Sequence, residues 1–404
     1  MTQQTVRTAI INARIFDGTR LIDDTTVVFN EGFIEAVGGP VPAGARVIDA
    51  KGATLLPGLI DSHVHTDVSG LKDALRFGVT TELEMMGSWS KAQRRRIARA
   101  THLADFRSPG MGITPDGGHP SEYIATSENL LIRNFFKFPS VSNEKEVTAV
   151  VAKRVNGGAD YIKILLEEGH TVGFPGLPVL SDEVLFTAVR EAHRHGKMAL
   201  AHVTSLVQGK RAIRAGMDGL AHIFFDAAPD QDFMTEIVRS GAFVTPTLTV
   251  IASALGIPPT ALASDPRVAS RLSPQWLHSL AQSSNVYPQG DLQTVMATVL
   301  ALHRAGVDIL AGSDVSEPVP GLGGVAHGAS LHHELQLLVA AGLSPQEALR
   351  AATSVPARRF GLVDRGRIAV ALRADLLLVD GDPLTQISDT LSINTVWRGG
   401  VALD

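Results

Sequence analysis

The sequence predicts an α/β protein, a (β/α)8 barrel of the TIM type over residues 58–356 with a small β-sandwich domain built from both termini, 1–57 and 357–404. Three observations carry that expectation. Short apolar runs alternate with helical patterns through the middle of the chain, the signature of βα units and a parallel sheet. The two ends share a different texture, strand-like runs broken by Gly and Asp turns. The 404 residues also exceed what one ordinary hydrophobic core sustains, which asks for a large barrel or a main domain with an appendage.

In chain order, TAIINARIFDG, TTVVFNEGFIEAVGG and ARVIDAKGATLLPG read as short strands, with Glu31-Gly32 as a hairpin tip. Eight strand candidates follow: the run ending in GLIDSHVHT, then GVTTELEM, a weaker stretch at 106–113, DYIKILL, MALAHV, GLAHI, AFVTPTL and VDILAGSD. Eight is the number a closed barrel requires. Two helices between or after them carry start signals. SDEVLFTAVREAHRHG has Ser181 as N-cap, Asp182 and Glu183 in its first turn and Gly196 as a stop, and SPQEALRAAT combines Ser344, Pro345 and Glu347 in a capping box. Residues 249–290, rich in Pro, Ser and Ala, interrupt the alternation, and an insertion of that length on a barrel predicts an active-site cover. The strand-like texture returns in GLVDRGRIAV, ADLLLVDGDP and INTVWRGGVAL, so the two chain ends are expected to lie together.

Composition narrows the function classes. A net charge of -5 recruits neither nucleic acid nor an anionic membrane. The one basic cluster, KAQRRRIARA at 91–100, reads as a solvated helix face. With no cysteine, disulfides and thiolate metal sites are excluded, so a transition metal must sit on nitrogen and oxygen ligands. The start MTQQTVRTAIINA lacks the pattern of a secretory signal, and no later segment offers a long uncharged apolar run, which predicts a cytoplasmic location.

Chemistry concentrates at strand ends. Side chains two apart on a strand share a face, so Asp61, His63 and His65 point together, as chelation of one ion or a structural histidine pair would both allow. Lys163 shares a face with Tyr161 and Leu165, opposite Ile162, Ile164 and Leu166. A lone ammonium there is strongly disfavoured by desolvation. A neutral amine, a carbamate formed with CO2, or a lysine reaching water at the strand mouth would each resolve that cost. His202 in KMALAHVTS and His222 in DGLAHIFF recur at the C-terminal ends of apolar runs, and VDILAGSD ends on Asp314. In a parallel barrel these ends converge on one mouth, where reactive groups are kept.

The set of H-x-H after strand one, Lys on strand four, His on strands five and six and Asp on strand eight resembles the amidohydrolase superfamily, in its binuclear members with a carboxylated lysine. LLPGLIDSHVHT resembles the entry motif, and GLSPQEALRAAT with GRIAVALRADLLLVDGDPL resembles the C-terminal signature. GADYIKILL and ELQLLVAAGLSPQEAL look closest to the imidazolonepropionase-like branch that includes Xaa-Pro dipeptidases and ochratoxin-type amidases. The resemblance implies two zinc ions per chain, with manganese or cobalt also compatible. His63, His65 and Asp314 would hold one, His202 and His222 the other, with carboxylated Lys163 and a hydroxide bridging them. It further implies Lys163 and Asp314 as catalytic residues, Asp314 moving the water proton to the leaving amine, and His119 in PDGGHPSEY as a substrate contact. The expected reaction is hydrolysis of a carboxamide C–N bond in a small molecule: an N-acyl amino acid, a dipeptide or an aryl amide of the ochratoxin type. Cyclic amide or lactone hydrolysis, or deamination at a single metal, is the alternative, and a non-catalytic scaffold is a third. A homo-oligomer is expected, without nucleic acid or membrane partners. His170, His195, His327, His332 and His333 are read as structural or exposed. Val203, Thr204 and Ser205 stand where related dipeptidases often have a tyrosine, and Glu167, Glu168, Gly169 and His170 stand near their glycine pair, so substrate contacts differ from theirs.

Overall fold

The computed structural model describes residues 6–125, 137–318 and 323–403, so the first five residues and the last of the predicted sandwich lie outside it. Eight parallel segments close a barrel. Leu59–Val64, Val79–Glu84 and Asp105–Arg107 form one hydrogen-bonded run. Ile162–Leu166, Ala199–Val203, Gly219–Ala221 and Phe243–Thr245 form a second. Isolated parallel bridges, Ile113 to Ile164, Val244 to Ile309 and Val64 to Val315, join the two into a ring.

Two predicted strands are therefore less regular than their sequences suggest. VDILAGSD bridges its neighbours at Ile309 and Val315 without a continuous ladder. The Ala311 N–H donates to Ala351 O at 2.8 Å and the Ser313 N–H to the Asp61 carboxylate at 3.0 Å, so donors that a ladder would use are already committed. The 106–113 candidate divides into Asp105–Arg107, paired with the second strand, and Ile113, bridged to the fourth, with Pro109 and Gly110 at φ +73° between them.

The alternation around Lys163 holds. Ile162, Ile164 and Leu166 enter the large apolar layer under the helices, with Ala201, Val203, Leu220 and Val244. Tyr161 turns inward and meets Leu200, Phe243 and Leu310 in a separate apolar cluster that fills the barrel beneath the mouth. Both predicted caps form. Ser181 accepts from Val184 N and Gly196 at φ +66° ends that helix, while Ser344 and Glu347 complete a reciprocal box.

The termini build two further sheets. Phe33–Val37, Val27–Asn30, Thr8–Ile11 and Arg46–Asp49 make one, with Asn30 opposite Phe33 across the Glu31-Gly32 turn. The other runs Val401–Ala402, Ile393–Arg398, Leu376–Val379, Thr54–Pro57, Arg14–Phe16, Leu21–Ile22, so the Leu376 strand from the C-terminal end pairs with the Thr54 strand from the N-terminal end. Ile10, Ile15, Phe29, Leu55, Leu376 and Trp397 pack together as the core of this unit, Phe29 edge-on to Trp397 at 6.1 Å.

The segment expected to cover the mouth is a packed helical insert. It contains Leu248–Ala254, Thr260–Ser264, Pro266–Ala269 and Pro274–Leu280. Leu262, Val268, Leu272 and Leu280 bury against Phe77, Ala326, Ala329 and Leu391, while Trp276 packs on Val64, Val315 and Val325. Among the described residues, no helix is long and apolar enough to cross a membrane.

Candidate metal centre

The first barrel strand delivers His63 fully buried, and His65 follows its end. Their Nε2 atoms lie 3.2 and 3.3 Å from Asp314 Oδ1, and one donor atom from each of the three residues falls within 4.8 Å of the others. Nδ1 of His63 has no hydrogen-bond partner, and Nε2 has only the Asp314 carboxylate beside it. A buried imidazole left so costs roughly 1–3 kcal/mol, unless a ligand such as a cation takes its lone pair. Asp61, on the same strand face, has a different task. Its carboxylate accepts from Ser313 N at 3.0 Å, Ser313 Oγ at 2.6 Å and His63 N at 3.2 Å, tying the eighth segment to the first strand.

His202 closes the fifth strand and His222 follows the sixth, their rings perpendicular at 4.6 Å. His222 also lies 4.5 Å from the His63 ring, and its Nε2 is 3.8 Å from Asp314 Oδ2. His222, Thr247 and Asp314 take φ of +89°, +54° and +52°. Non-glycine residues rarely adopt such angles, and a β-branched threonine least of all. These turns at the strand ends bring His222 and Asp314 to face each other and set the Thr247 hydroxyl against His222 Nδ1, a use of backbone strain typical of functional sites.

Lys163 is 2% exposed and its Nζ has no hydrogen-bond partner. Burial pulls the amine down to about 7, opposed by the Asp314 and Glu84 carboxylates. Burial also lowers His63 to about 3, with Lys163 adding to the effect, and holds His202 and His222 well below the ordinary imidazole range. Neutral imidazoles are what metal ligation requires. Burial alone would raise Asp314, yet His63 and His222 beside it hold the carboxyl well below its usual value. Four imidazoles, one carboxylate and an unpartnered buried amine thus converge from five strands. The donor set of nitrogen and oxygen fits divalent ions such as zinc.

The predicted substrate contact His119 stacks on His202 at 4.6 Å and 27°, its Nδ1 facing Glu122. Four participants escaped the sequence reading. Tyr123 lies edge-on to His119 at 5.9 Å and to Phe174 at 6.0 Å, and Asp314 and Glu167 are close enough to help burial push its phenol up. Glu84 ends the second strand, fully buried, raised to about 7 by burial, with Oε2 lacking a partner. Glu167 reaches His202 and Thr247 reaches His222. Alternation could have found Glu167, which continues the Lys163 and Leu165 face, and Glu84, the last residue of the strand Val79–Glu84; Tyr123, on the short helix Ser121–Ala125, and Thr247, between a strand and a helix, carry no such period. Of the remaining histidines, His332 is buried between Thr390 and Phe77 O, His327 is buried against Glu82 at 3.2 Å, and His170 stands 3.7 Å from Glu168 and 3.8 Å from Asp226.

Comparison with known proteins gives the family and the fold. The chain is 26% identical over 413 residues to an allantoinase of Solibacter usitatus, an alignment covering 92% of this chain and 83% of that one. It is 26% identical over 264 residues to an ochratoxinase of Aspergillus niger, covering 63% of this chain and 48% of that one. The solved structure of a molinate hydrolase superposes with a TM-score of 0.78 at 22% identity, over all of this chain and 95% of that one, and shows the shared fold. The sequence model of the Amidohydrolase family matches residues 54–403, from the last strand before the barrel to the end of the closing sheet. The chain belongs to the amidohydrolase family and is a hydrolase acting on carbon–nitrogen bonds.

Proposed function

We propose that the protein hydrolyses a carboxamide C–N bond in a small molecule, an N-acyl amino acid, a dipeptide or an aryl amide, at a centre built for two divalent ions. The carrying observation is the partnerless Lys163 Nζ, buried among strand-end imidazoles and Asp314. His63, His65 and Asp314 would hold one ion, His202 and His222 the other, and Lys163 would link them as a carbamate. That group forms when the amine nitrogen bonds the carbon of CO2 and releases one proton to solvent, turning an awkward buried base into an anion. Zinc suits the donors. When bound, such ions would lower the pKa of a water and polarise the scissile carbonyl.

The chain's own groups do the rest. Asp314, with Oδ1 toward His63 and His65 and Oδ2 toward His222, would accept the water proton and deliver it to the leaving nitrogen. His119, stacked on His202, and Tyr123 beside it form the wall where the acyl group would be oriented. Elemental analysis is expected to give two zinc equivalents per chain, and native mass spectrometry an added CO2 that Lys163→Ala lacks. Lys163→Ala and Asp314→Asn should each lower turnover about 10²–10⁴-fold on a responsive amide. An unaltered rate in either variant contradicts the proposal.

A second reading keeps one ion. The tight cluster of His63, His65 and Asp314 suits a single metal, as a deaminase or cyclic amide hydrolase would use. A measured stoichiometry of one, with activity retained in Lys163→Ala, would favour it.

A further inference from the structure

The fourth strand continues beyond Lys163 with side chains on alternating faces, so Glu167 rises on the lysine's face toward the mouth. Register pairs Leu165 with His202 and Leu166 with Val203, which sets Glu167 level with Thr204. The glutamate is 1% exposed, yet its carboxylate is fully engaged. Oε1 accepts from Gly169 N at 2.6 Å, and Oε2 takes the Thr204 hydroxyl and lies 3.2 Å from His202 Nε2. Because Thr204 gives its proton to Glu167, its oxygen receives the Thr171 hydroxyl at 2.6 Å, which extends the network outward. Gly169 holds the loop in place at φ +93°, where a Cβ would stand 1.8 Å from Phe174 O.

Proton bookkeeping assigns the imidazoles. A carboxylate only accepts, so His202 must carry its proton on Nε2, and the lone pair stays on Nδ1. His222 is set the other way. Thr247 Oγ1 donates to Pro246 O at 2.7 Å, so it accepts from His222 Nδ1 at 2.7 Å and leaves the lone pair on Nε2, which faces Asp314.

We infer that Glu167 is a positioning residue for the second ion: it fixes the ring orientation and tautomer of His202 so that Nδ1 is the nitrogen offered to the metal. The inference rests on the two-ion reading above. It gives a role to the glutamate that stands near the glycine pair of related dipeptidases. Carboxylates that orient a ligating histidine raise its basicity, and their loss typically weakens metal binding about 10–100-fold.

The test uses the full chain loaded with zinc, with Glu167→Gln, which keeps size and an acceptor, and Glu167→Leu, which removes both acceptors. Circular dichroism and thermal midpoints establish that each variant is folded. Titration with a competing chelator should show one of the two zinc equivalents bound about 10–100-fold more weakly in Glu167→Leu, the other unchanged, and Glu167→Gln in between. After chelation, long-range 15N–1H spectra of the metal-free wild-type chain should place the His202 proton on Nε2, and metal-free Glu167→Leu should lose that preference. Two zinc ions held with equal affinity in both variants overturn the inference, as does a His202 proton on Nδ1 or a Glu167 oxygen bound directly to zinc. A wild-type chain that holds fewer than two ions refutes the two-ion reading itself, a failure separable from the first.

Discussion

At the residue scale, the division of labour along one strand face shows how little spacing alone decides. Asp61, His63 and His65 share a face, but Asp61 is held by Ser313 and the His63 N–H, while the two imidazoles converge on Asp314. Asp61→Ala should therefore act first on stability. It leaves the Ser313 N–H and hydroxyl without their acceptor in a fully buried place, at a cost of about 2–4 kcal/mol. Urea unfolding of the zinc-free protein measures this, and a loss below about 0.5 kcal/mol would show the clamp to be dispensable. The histidines, the lysine and Asp314 were legible because polar groups at the ends of apolar runs stand out. Glu84 and Tyr123 were not, since Glu82 and Glu84 two apart on one strand read as a solvated face although both are buried, and Tyr123, part-exposed on a short helix, reads as ordinary surface.

At the element scale, the helix Leu248–Ala254 begins without a cap of its own, because the Thr247 hydroxyl is committed to Pro246 O and His222. Glu334, from the helix Ala329–Ala340, supplies it across space, accepting from Leu248 N at 3.0 Å, Thr249 N at 2.9 Å and Thr249 Oγ1 at 2.8 Å. Burial raises this carboxyl from 4.5 to about 7. Between those values the native state holds a proton that the unfolded chain has lost, so this group's contribution falls as pH rises toward 7 and levels above it. Glu334→Gln should remove that slope, the difference in urea-unfolding free energy between wild type and variant changing by about 3 kcal/mol at most between pH 4.5 and 7. Parallel pH profiles for the two proteins would contradict the assignment. Local caps such as Ser181 and Ser344 were readable because cap and helix are neighbours in the chain; a cap 86 residues away was not.

At the scale of the whole molecule, the mouth gathers groups from the first, fourth, fifth, sixth and eighth barrel segments over an interior filled by Tyr161, Leu200, Phe243 and Leu310. Ions held there would cross-link segments that are far apart in sequence, while the apolar layers below stand without them. Chelation should thus leave the far-ultraviolet dichroism intact and lower the thermal midpoint. Zinc at about 100 times its dissociation constant should restore roughly 2.7 kcal/mol per site. A midpoint indifferent to chelator and zinc would count against a metal centre in the native protein.

The linear sequence by itself determined the barrel with its appended sheets, the alternation that turns Lys163 inward, and the six candidate ligands, because each follows from periodicity or from a polar residue closing an apolar run. Tertiary structure alone decided that Asp61 clamps rather than faces the cage, that the eighth segment bridges without a ladder, that 249–290 packs as helices, and that Glu167 and Thr247 hold opposite edges of two imidazoles. The physical reason is one of range: burial patterns repeat along the chain and can be read from it, whereas the partner of a buried donor is chosen by whatever closure brings within about 3 Å, and that choice has no period.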